Sequence, residues 1–177
     1  MSLDLSKKNL ILTGPPKVGK TTVIMAVSNV LGERADGFYT KELRERGRRK
    51  GFLLLSLRGE EGLLAHVDLK HGPRVGKYTV NIDDMESIGV NALRRAKKEG
   101  AIVIIDEIGR MELFSEAFKR EVIRVLDSPS RVLATIREGE EPFCDSIKER
   151  GDVVVVRVTE GNRNALPEII INELLEA

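Results

Sequence analysis

A glycine-rich segment near the start of the chain carries the residues with the clearest chemistry. It reads Gly14-Pro-Pro-Lys-Val-Gly-Lys-Thr21 and fits the pattern G-x-x-x-x-G-K-[ST] in full. Its glycines permit the backbone conformations in which N–H groups surround a phosphate, and the dipole of a helix starting near Lys20 favours an anion there. Lys20 can reach β- and γ-phosphate oxygens, while the Thr21 hydroxyl can bind Mg²⁺. We therefore predict that the following residues bind a nucleoside triphosphate: Gly14, Pro15, Pro16, Lys17, Val18, Gly19, Lys20, Thr21 and Thr22.

Two adjacent carboxylates follow an apolar run later in the chain. Ala101 to Ile105 is typical of a buried strand, and Asp106 and Glu107 come directly after it. In a phosphate-binding α/β fold, an Asp at the end of such a strand lies near the bound Mg²⁺, usually through a coordinated water. A carboxylate beside it is placed to orient and deprotonate a water that attacks the γ-phosphorus. We predict that Asp106 and Thr21 are the metal residues, and that Glu107 and Lys20 are the catalytic ones.

Other polar residues lie close in sequence to these segments without a motif that fixes their role. Thr135, near the end of an apolar run, can sense the γ-phosphate, and Arg137 follows it; either residue can equally be a solvated strand end. Arg110 can stabilise transition-state charge or form a salt bridge nearby, and we slightly favour the salt bridge. Asn162 and Arg163 are candidates for contact with the nucleotide base.

The elements that position these residues alternate between apolar runs and amphipathic stretches, which predicts βαβ units and a mainly parallel sheet. A first strand at Asn9–Thr13 leads into the glycine-rich segment, and Thr21–Leu31 has helical spacing with Gly32 as its stop. The acidic pair favours, by analogy of fold, an extra strand between this first strand and the Asp106 strand. A later helix is predicted at Asp83–Lys98, with Asp83 as its cap. Further helices are predicted at Ser115–Asp127, Pro142–Arg150 and Asn164–Leu175. Later strands are predicted at Ala101–Ile105, Arg131–Ile136 and Val153–Val158.

The middle of the chain follows a different pattern. Gly37–Glu42 and Gly51–Leu57 predict a β-hairpin that turns at Gly47, and further short strands are expected at Leu63–Val67 and Tyr78–Ile82. No linker-like composition bounds this section, so it is expected to extend the sheet as an antiparallel insertion. The basic cluster from Arg44 to Lys50 is interrupted by acids and lacks interleaved aromatic residues, so a solvated hairpin tip is favoured over a nucleic-acid patch.

Composition limits the remaining possibilities. The chain has 177 residues, 41% hydrophobic and 32% charged, which predicts one globular domain over residues 1–177. Its 29 basic and 28 acidic residues nearly cancel, so charge does not point to a nucleic acid or a membrane as partner. The single cysteine, Cys144, excludes an internal disulfide, and the two histidines lack partners at metal-ligand spacing. Apolar runs are too short to cross a bilayer, and Met1–Lys8 lacks a signal-peptide pattern, so we expect a cytoplasmic monomer.

Several segments together resemble the small nucleoside-triphosphatase family of thermophilic bacteria and archaea, also called the cancer-related nucleoside-triphosphatases. The most distinctive segment is Asp106-Glu-Ile-Gly-Arg-Met-Glu-Leu-Phe-Ser115. The others are Gly14–Thr22, Gly37-Phe-Tyr-Thr-Lys-Glu42, Gly51-Phe52, Val75-Gly-Lys-Tyr-Thr-Val-Asn81, Ala134-Thr-Ile136 and Asn162-Arg163, which cover nearly the whole chain in order.

The resemblance implies a P-loop α/β fold, which we expect as a three-layer α/β/α sandwich with a mainly parallel sheet and an antiparallel hairpin extension. It also implies Mg²⁺-dependent hydrolysis of ATP, GTP and other triphosphates to the diphosphate and phosphate, with little base preference. Lys20, Thr21, Asp106 and Glu107 match the family's phosphate, metal and base positions. The sequence departs from the family at Lys17, where many members have Gly, and at Asn164, where Asp is common.

Two other activities share the glycine-rich segment. A small kinase would transfer the γ-phosphate to a hydroxyl of a nucleotide or nucleic acid, but such enzymes usually carry an arginine-rich lid, and the arginine-rich segment here is the predicted hairpin tip. A GTP-dependent switch would carry Asn-Lys-x-Asp or Thr-Lys-x-Asp after a late strand. Thr40-Lys-Glu-Leu43 lies too early and lacks the Asp, so the switch is ranked last.

Overall fold

The computed structural model describes residues 5–96 and 100–176, and the nine strands within them form one sheet. No helix of these residues is long and apolar enough to cross a membrane. The strands are β1 (Asn9–Thr13), β2 (Ala35–Glu45), β3 (Arg48–Ser56), β4 (Glu61–His66), β5 (Arg74–Val75), β6 (Tyr78–Val80), β7 (Ile102–Ile108), β8 (Arg131–Ile136) and β9 (Val153–Arg157). The helices are α1 (Lys20–Leu31), α2 (Ile82–Asp84), α3 (Asn91–Ala96), α4 (Glu116–Asp127), α5 (Pro142–Lys148) and α6 (Leu166–Glu176).

The parallel half of the sheet has the order β2-β7-β8-β1-β9. Strand β8 therefore lies between β1, which leads into the glycine-rich segment, and β7, which carries the acidic pair. The extra strand predicted at this place is confirmed. Because the strands are parallel, their carboxyl ends share one edge of the sheet, where ligands bind in open α/β folds.

Helices cover both faces of this sheet, and the alternation of side chains along β1 shows how. Leu10 and Leu12 pack in a cluster with α1 and α6, whereas Ile11 packs in a second cluster with α4 and α5. Successive side chains of a strand point to opposite faces, so a strand buried on both sides must be apolar throughout. The predicted three-layer α/β/α sandwich is confirmed.

The antiparallel extension continues from β2 in the order β5-β6-β4-β3-β2. The β2–β3 hairpin turns at Arg46 and Gly47, whose φ angles of 51° and 76° suit a tight hairpin turn. In the basic cluster, Arg44 and Arg49 both pair with Glu42, and Arg49 also donates to the Tyr78 hydroxyl. These arginines are engaged with the hairpin itself.

The helix predicted at Asp83–Lys98 differs from the structure in its start and its regularity. Asn81, and not Asp83, caps it, because the Asn81 side chain accepts a hydrogen bond from the Asp84 N–H and its own backbone is still extended. A π-helical segment, Met85–Val90, then separates α2 from α3. The predicted last residues, Lys97 and Lys98, lie outside the described residues.

Candidate active site

The glycine-rich segment forms the loop between β1 and α1. Gly14 is buried with a φ of 143°, and a Cβ built there would lie 2.9 Å from the carbonyl oxygen of Val158. Gly19, the residue before α1, has a φ of 115°. Both positions require glycine, for its positive φ and, at Gly14, for the close approach of the strand-end backbone. The loop thus ends directly on the positive end of the α1 dipole.

Lys17 occupies a position of this loop that disfavours most residues. Its φ is 66°, in the left-handed region that glycine adopts without a steric penalty. The loop therefore keeps the backbone conformation expected of a glycine at this position. Pro15, Pro16 and Lys17 are exposed, whereas Val18 is buried against the core of the α1 face.

The Lys20 ammonium lies inside the loop. It donates hydrogen bonds to the carbonyl oxygens of Gly14 at 2.7 Å and Pro15 at 3.1 Å. Burial lowers the pKa of Lys20 below its ordinary value, and the nearby Glu107 and Asp106 carboxylates oppose that shift. The structure thus brings Lys20 together with both acidic residues that follow the β7 apolar run.

Asp106 is 2% exposed and is held by a neighbour on the adjacent strand. The Thr135 hydroxyl donates a 2.7 Å hydrogen bond to its Oδ1. Burial raises the pKa of Asp106, while Thr135, the Thr21 hydroxyl, Lys20 and the Thr40 backbone amide all favour its ionised form. Oδ2 is buried and makes no hydrogen bond of normal geometry within the described chain. A buried carboxylate oxygen of this kind is costly without a partner, so a cation is the expected complement.

Asp106 and Thr21 could hold a divalent cation together with phosphate oxygens and waters. Within residues 5–96 and 100–176, no three or more His, Cys, Asp or Glu side chains gather as a metal site. Mg²⁺ is usually held by one or two protein oxygens, phosphate oxygens and several waters. Asp106 Oδ2 and the Thr21 hydroxyl, at the first turn of α1, form a donor set of that kind.

Glu107 lies in a cleft of 360 Å³ with Gly14, Pro16 and Lys20. Burial and the charge of Asp106 raise the pKa of Glu107, while Lys20 and Arg137 lower it. The backbone at Gly109 lies close to the Glu107 carboxylate, because a Cβ built on Gly109 would lie 2.4 Å from Glu107 Oε1. A carboxylate with a raised pKa, next to the phosphate loop, has the position and the basicity of a general base.

The cleft also contains residues to which the sequence assigned no role. Glu112 is 4% exposed and lines it; burial, then the charge of Glu107, raise the pKa of Glu112 well above its ordinary value. Its place depends on a turn after β7, in which the Leu113 N–H bonds the Gly109 carbonyl, and no spacing rule in the sequence signals that turn. The far wall is apolar and comes from the antiparallel extension and the same turn: Phe52, Leu64, Val75 and Met111.

Arg110 and Arg137 line this cleft as well. Arg110 is exposed and forms no ion pair with any described residue, so the salt bridge favoured from the sequence is not made. Arg137 is half-buried, and its positive charge lowers the pKa of Glu107. Thr135, by contrast, is fully buried and bonded to Asp106, so it is not a solvated strand end.

A second cleft, of 370 Å³, lies against a different part of the loop and contains Arg163. Arg163 Nη1 donates to the Val18 carbonyl at 3.2 Å. Asn162 instead holds the turn after β9: its Oδ1 accepts from the Thr159 N–H, and its Nδ2 donates to the Arg157 carbonyl. Of the two candidates for the base, Arg163 therefore lines a cleft, while the Asn162 amide is engaged within the backbone turn.

Comparison with known proteins connects this arrangement to an enzyme class. A family model described as NTPase matches residues 9–171. The chain is 49% identical over 166 residues to "Nucleoside-triphosphatase THEP1" of Thermotoga sp. (strain RQ2), covering 94% of this chain and 92% of that protein. The crystal structure of THEP1 from Aquifex aeolicus superposes with a TM-score of 0.86 at 35% identity, over 94% of this chain and 98% of the other. The solution structure of a human cancer-related nucleoside triphosphatase gives 0.84 at 39% identity, over 96% and 98%.

Proposed function

This chain belongs to the NTPase family and is a nucleoside-triphosphatase, and we propose that it hydrolyses ATP, GTP and other triphosphates with Mg²⁺ and with little preference for the base. The observation that carries the proposal is the shared cleft of Lys20 and Glu107, with Asp106 beside them. A phosphate-binding cation, a buried metal-type carboxylate and a carboxylate of raised pKa are the groups that this hydrolysis needs.

Substrate binding is assigned to the loop Gly14–Thr21 and the start of α1. Its backbone N–H groups surround the α- and β-phosphates, and Lys20 exchanges the Gly14 and Pro15 carbonyls for β- and γ-phosphate oxygens. The free energy of that exchange is favourable because a phosphate oxygen carries more negative charge than a carbonyl oxygen. Gly14 and Pro16 line the cleft that contains Glu107, and the γ-phosphate is assigned to this cleft.

The residues that would hold Mg²⁺ are Thr21, through its hydroxyl, and Asp106, through Oδ2 and a water. At this position the ion would supply positive charge that offsets the negative charge developing on the phosphate oxygens. Thr135 fixes the Asp106 carboxylate by its hydrogen bond to Oδ1, so that Oδ2 keeps its direction.

Glu107 performs the proton transfer. Its carboxylate accepts a proton from a water, whose oxygen forms a bond to the γ-phosphorus as the bond from that phosphorus to the β,γ-bridging oxygen breaks. The products are the nucleoside diphosphate and inorganic phosphate. Lys20 offsets the negative charge that moves to the bridging oxygen, and the apolar wall of the cleft limits bulk water around Glu107.

The kinase alternative is not favoured. The relatives at 49% and 39% identity are named as nucleoside-triphosphatases. Arg44 and Arg49 of the arginine-rich hairpin pair with Glu42, and no residue from Arg44 to Lys50 lines the Glu107 cleft.

Phosphate release in the absence of any acceptor tests the proposal. Purified protein is incubated with Mg²⁺ and each of the four ribonucleoside triphosphates in turn, with EDTA as the metal-free control. We expect steady release of phosphate with all four and none with EDTA. Release that requires an added hydroxyl compound, or that persists at full rate in EDTA, would contradict it.

A further inference from the structure

We propose that the second cleft, between the phosphate loop and the turn after β9, is the nucleobase site, and that Arg163 binds the base through its planar face without reading the base's edge. The inference rests on the proposed function, because that function fixes which end of the substrate lies at Glu107. It adds a position for the base and a residue that holds it.

The two clefts divide the phosphate loop between them. The cleft with Glu107 contains Gly14, Pro16 and Lys20, whereas the second contains Lys17, Gly19 and Thr22, and the two share no lining residue. Lys20 reaches the β- and γ-phosphates, so the γ end lies at the Glu107 cleft. The α-phosphate and the nucleoside must then leave the loop near Thr22, where the second cleft begins.

Arg163 is held in place before any ligand arrives. Its Nη1 donates to the Val18 carbonyl, and its Cδ lies 3.4 Å from a Cβ built on Gly19, so the side chain crosses the loop. Its backbone N–H bonds the Thr159 carbonyl at 3.0 Å, and the preceding Asn162 fixes the same turn. A guanidinium that is already ordered loses less entropy when it binds a flat ring.

The remaining lining favours stacking over hydrogen-bonded readout. Val23 and Ala26 of α1 and Pro167 at the start of α6 supply apolar surface. The polar side chains, Lys17, Thr22, Arg163 and Asn164, are all exposed. Strong discrimination between bases requires buried polar groups, because a wrong base leaves them without a hydrogen-bond partner. An exposed polar group instead forms hydrogen bonds with water, so a wrong base costs little binding free energy. A cation over a ring face accepts every base, because every base has such a face.

Equilibrium binding separates the base from the phosphates. We would measure the Kd of ADP, GDP, CDP, UDP and inorganic tripolyphosphate for the native chain, Arg163→Ala and Arg163→Lys. The control is Arg48→Ala, the same change of charge at an exposed residue of the β3 hairpin strand. We expect Arg163→Ala to weaken all four diphosphates about tenfold, the order of one base-stacking contact, with tripolyphosphate and the control unchanged. Arg163→Lys should retain only part of the affinity, because lysine has no planar face.

Each contrary result has a definite meaning. Equal weakening of tripolyphosphate would make Arg163 a phosphate ligand, loss for one base alone would indicate edge readout, and no loss would place the base elsewhere; each overturns the inference. If Arg163→Ala folds poorly, a second variant, Ala26→Leu, fills the same cleft from α1. We expect it to weaken the binding of the four diphosphates but not of tripolyphosphate. Diphosphate affinities equal to those of the native chain would also overturn the inference. Phosphate release is measured separately, so a failure of hydrolysis is distinguishable from a failure of this assignment.

Discussion

The Thr135 hydroxyl donates a 2.7 Å hydrogen bond to Asp106 Oδ1, joining the carboxyl ends of β8 and β7 inside the sheet. Both residues are buried: Thr135 is fully buried, and Asp106 is 2% exposed. One carboxylate oxygen is therefore fixed by the neighbouring strand, and Oδ2 is left for the cation side of the site. Strand β8 thus orients the β7 carboxylate that we propose as a metal residue.

Replacing Thr135 should weaken the metal site without weakening nucleotide contacts of the loop. Thr135→Val keeps the shape but removes the donor to Asp106 Oδ1. We expect the Mg²⁺ concentration for half-maximal activity to rise about tenfold or more, the usual effect of losing a partner of a metal ligand. Thr135→Ser retains the hydroxyl and should stay close to the native value. An unchanged Mg²⁺ dependence in Thr135→Val would argue against this role.

The pH dependence of turnover should report Glu107. Burial and Asp106 raise the pKa of Glu107, so its basic form, and kcat with it, should be lost at a higher pH than for an ordinary glutamate as acid is added. Arg137 lowers that pKa, so Arg137→Ala should move the acid limb of the kcat profile to still higher pH. Arg120→Ala, an exposed change on α4, is the matched control. A limb that stays in place in Arg137→Ala would contradict the assignment.

Glu112 should make the fold less stable as pH rises. Its pKa in the folded chain lies well above its unfolded value, so the native state keeps a proton that the unfolded state releases, and the free energy of unfolding falls as pH rises through that window. Glu112→Gln cannot ionise and should raise Tm at pH 8 by a few degrees but little at pH 4, with about 2–4 °C expected per kcal/mol.

Thermal melting across that pH range makes the comparison. Glu140→Gln changes an exposed acid and should leave the pH dependence of Tm as it is in the native chain. If Glu112→Gln and the native chain lose stability in parallel between pH 4 and pH 8, the buried carboxyl is not the cause.

The parts of the site that follow from sequence are those set by local patterns. The G-x-x-x-x-G-K-[ST] segment places Lys20 and Thr21 at the start of the helix after β1, and the acidic pair lies at the carboxyl end of β7. Parallel strands bring both regions to one edge of the sheet. An extra strand between β1 and β7 is predicted by analogy of fold and is confirmed, but the sequence does not identify β8 as that strand. The Thr135–Asp106 hydrogen bond depends on the register of β8 against β7, which the residues of one strand do not determine.

The parts that sequence did not predict depend on long-range packing. Glu112 reaches the cleft through a turn at Gly109, and Phe52 and Leu64 reach it from the antiparallel extension, more than forty residues before Glu107 in the chain. The sequence predicts Asp83 as the cap that Asn81 provides, because Asp and Asn are both good N-cap residues. The extended backbone of Asn81 and its hydrogen bond from the Asp84 N–H distinguish the two. The single-domain organisation, the monomeric state and the cytoplasmic location stay predictions.

The most direct measurement of the central claim compares binding and turnover in Glu107→Gln. The amide keeps the size of the side chain but cannot accept the water's proton, so we expect kcat to fall about 10²- to 10⁴-fold while the Kd for Mg²⁺-nucleotide stays within about twofold. Lys20→Ala should instead lose nucleotide binding itself. Turnover near the native rate in Glu107→Gln, with nucleotide bound, would contradict the proposal that this carboxylate activates the attacking water.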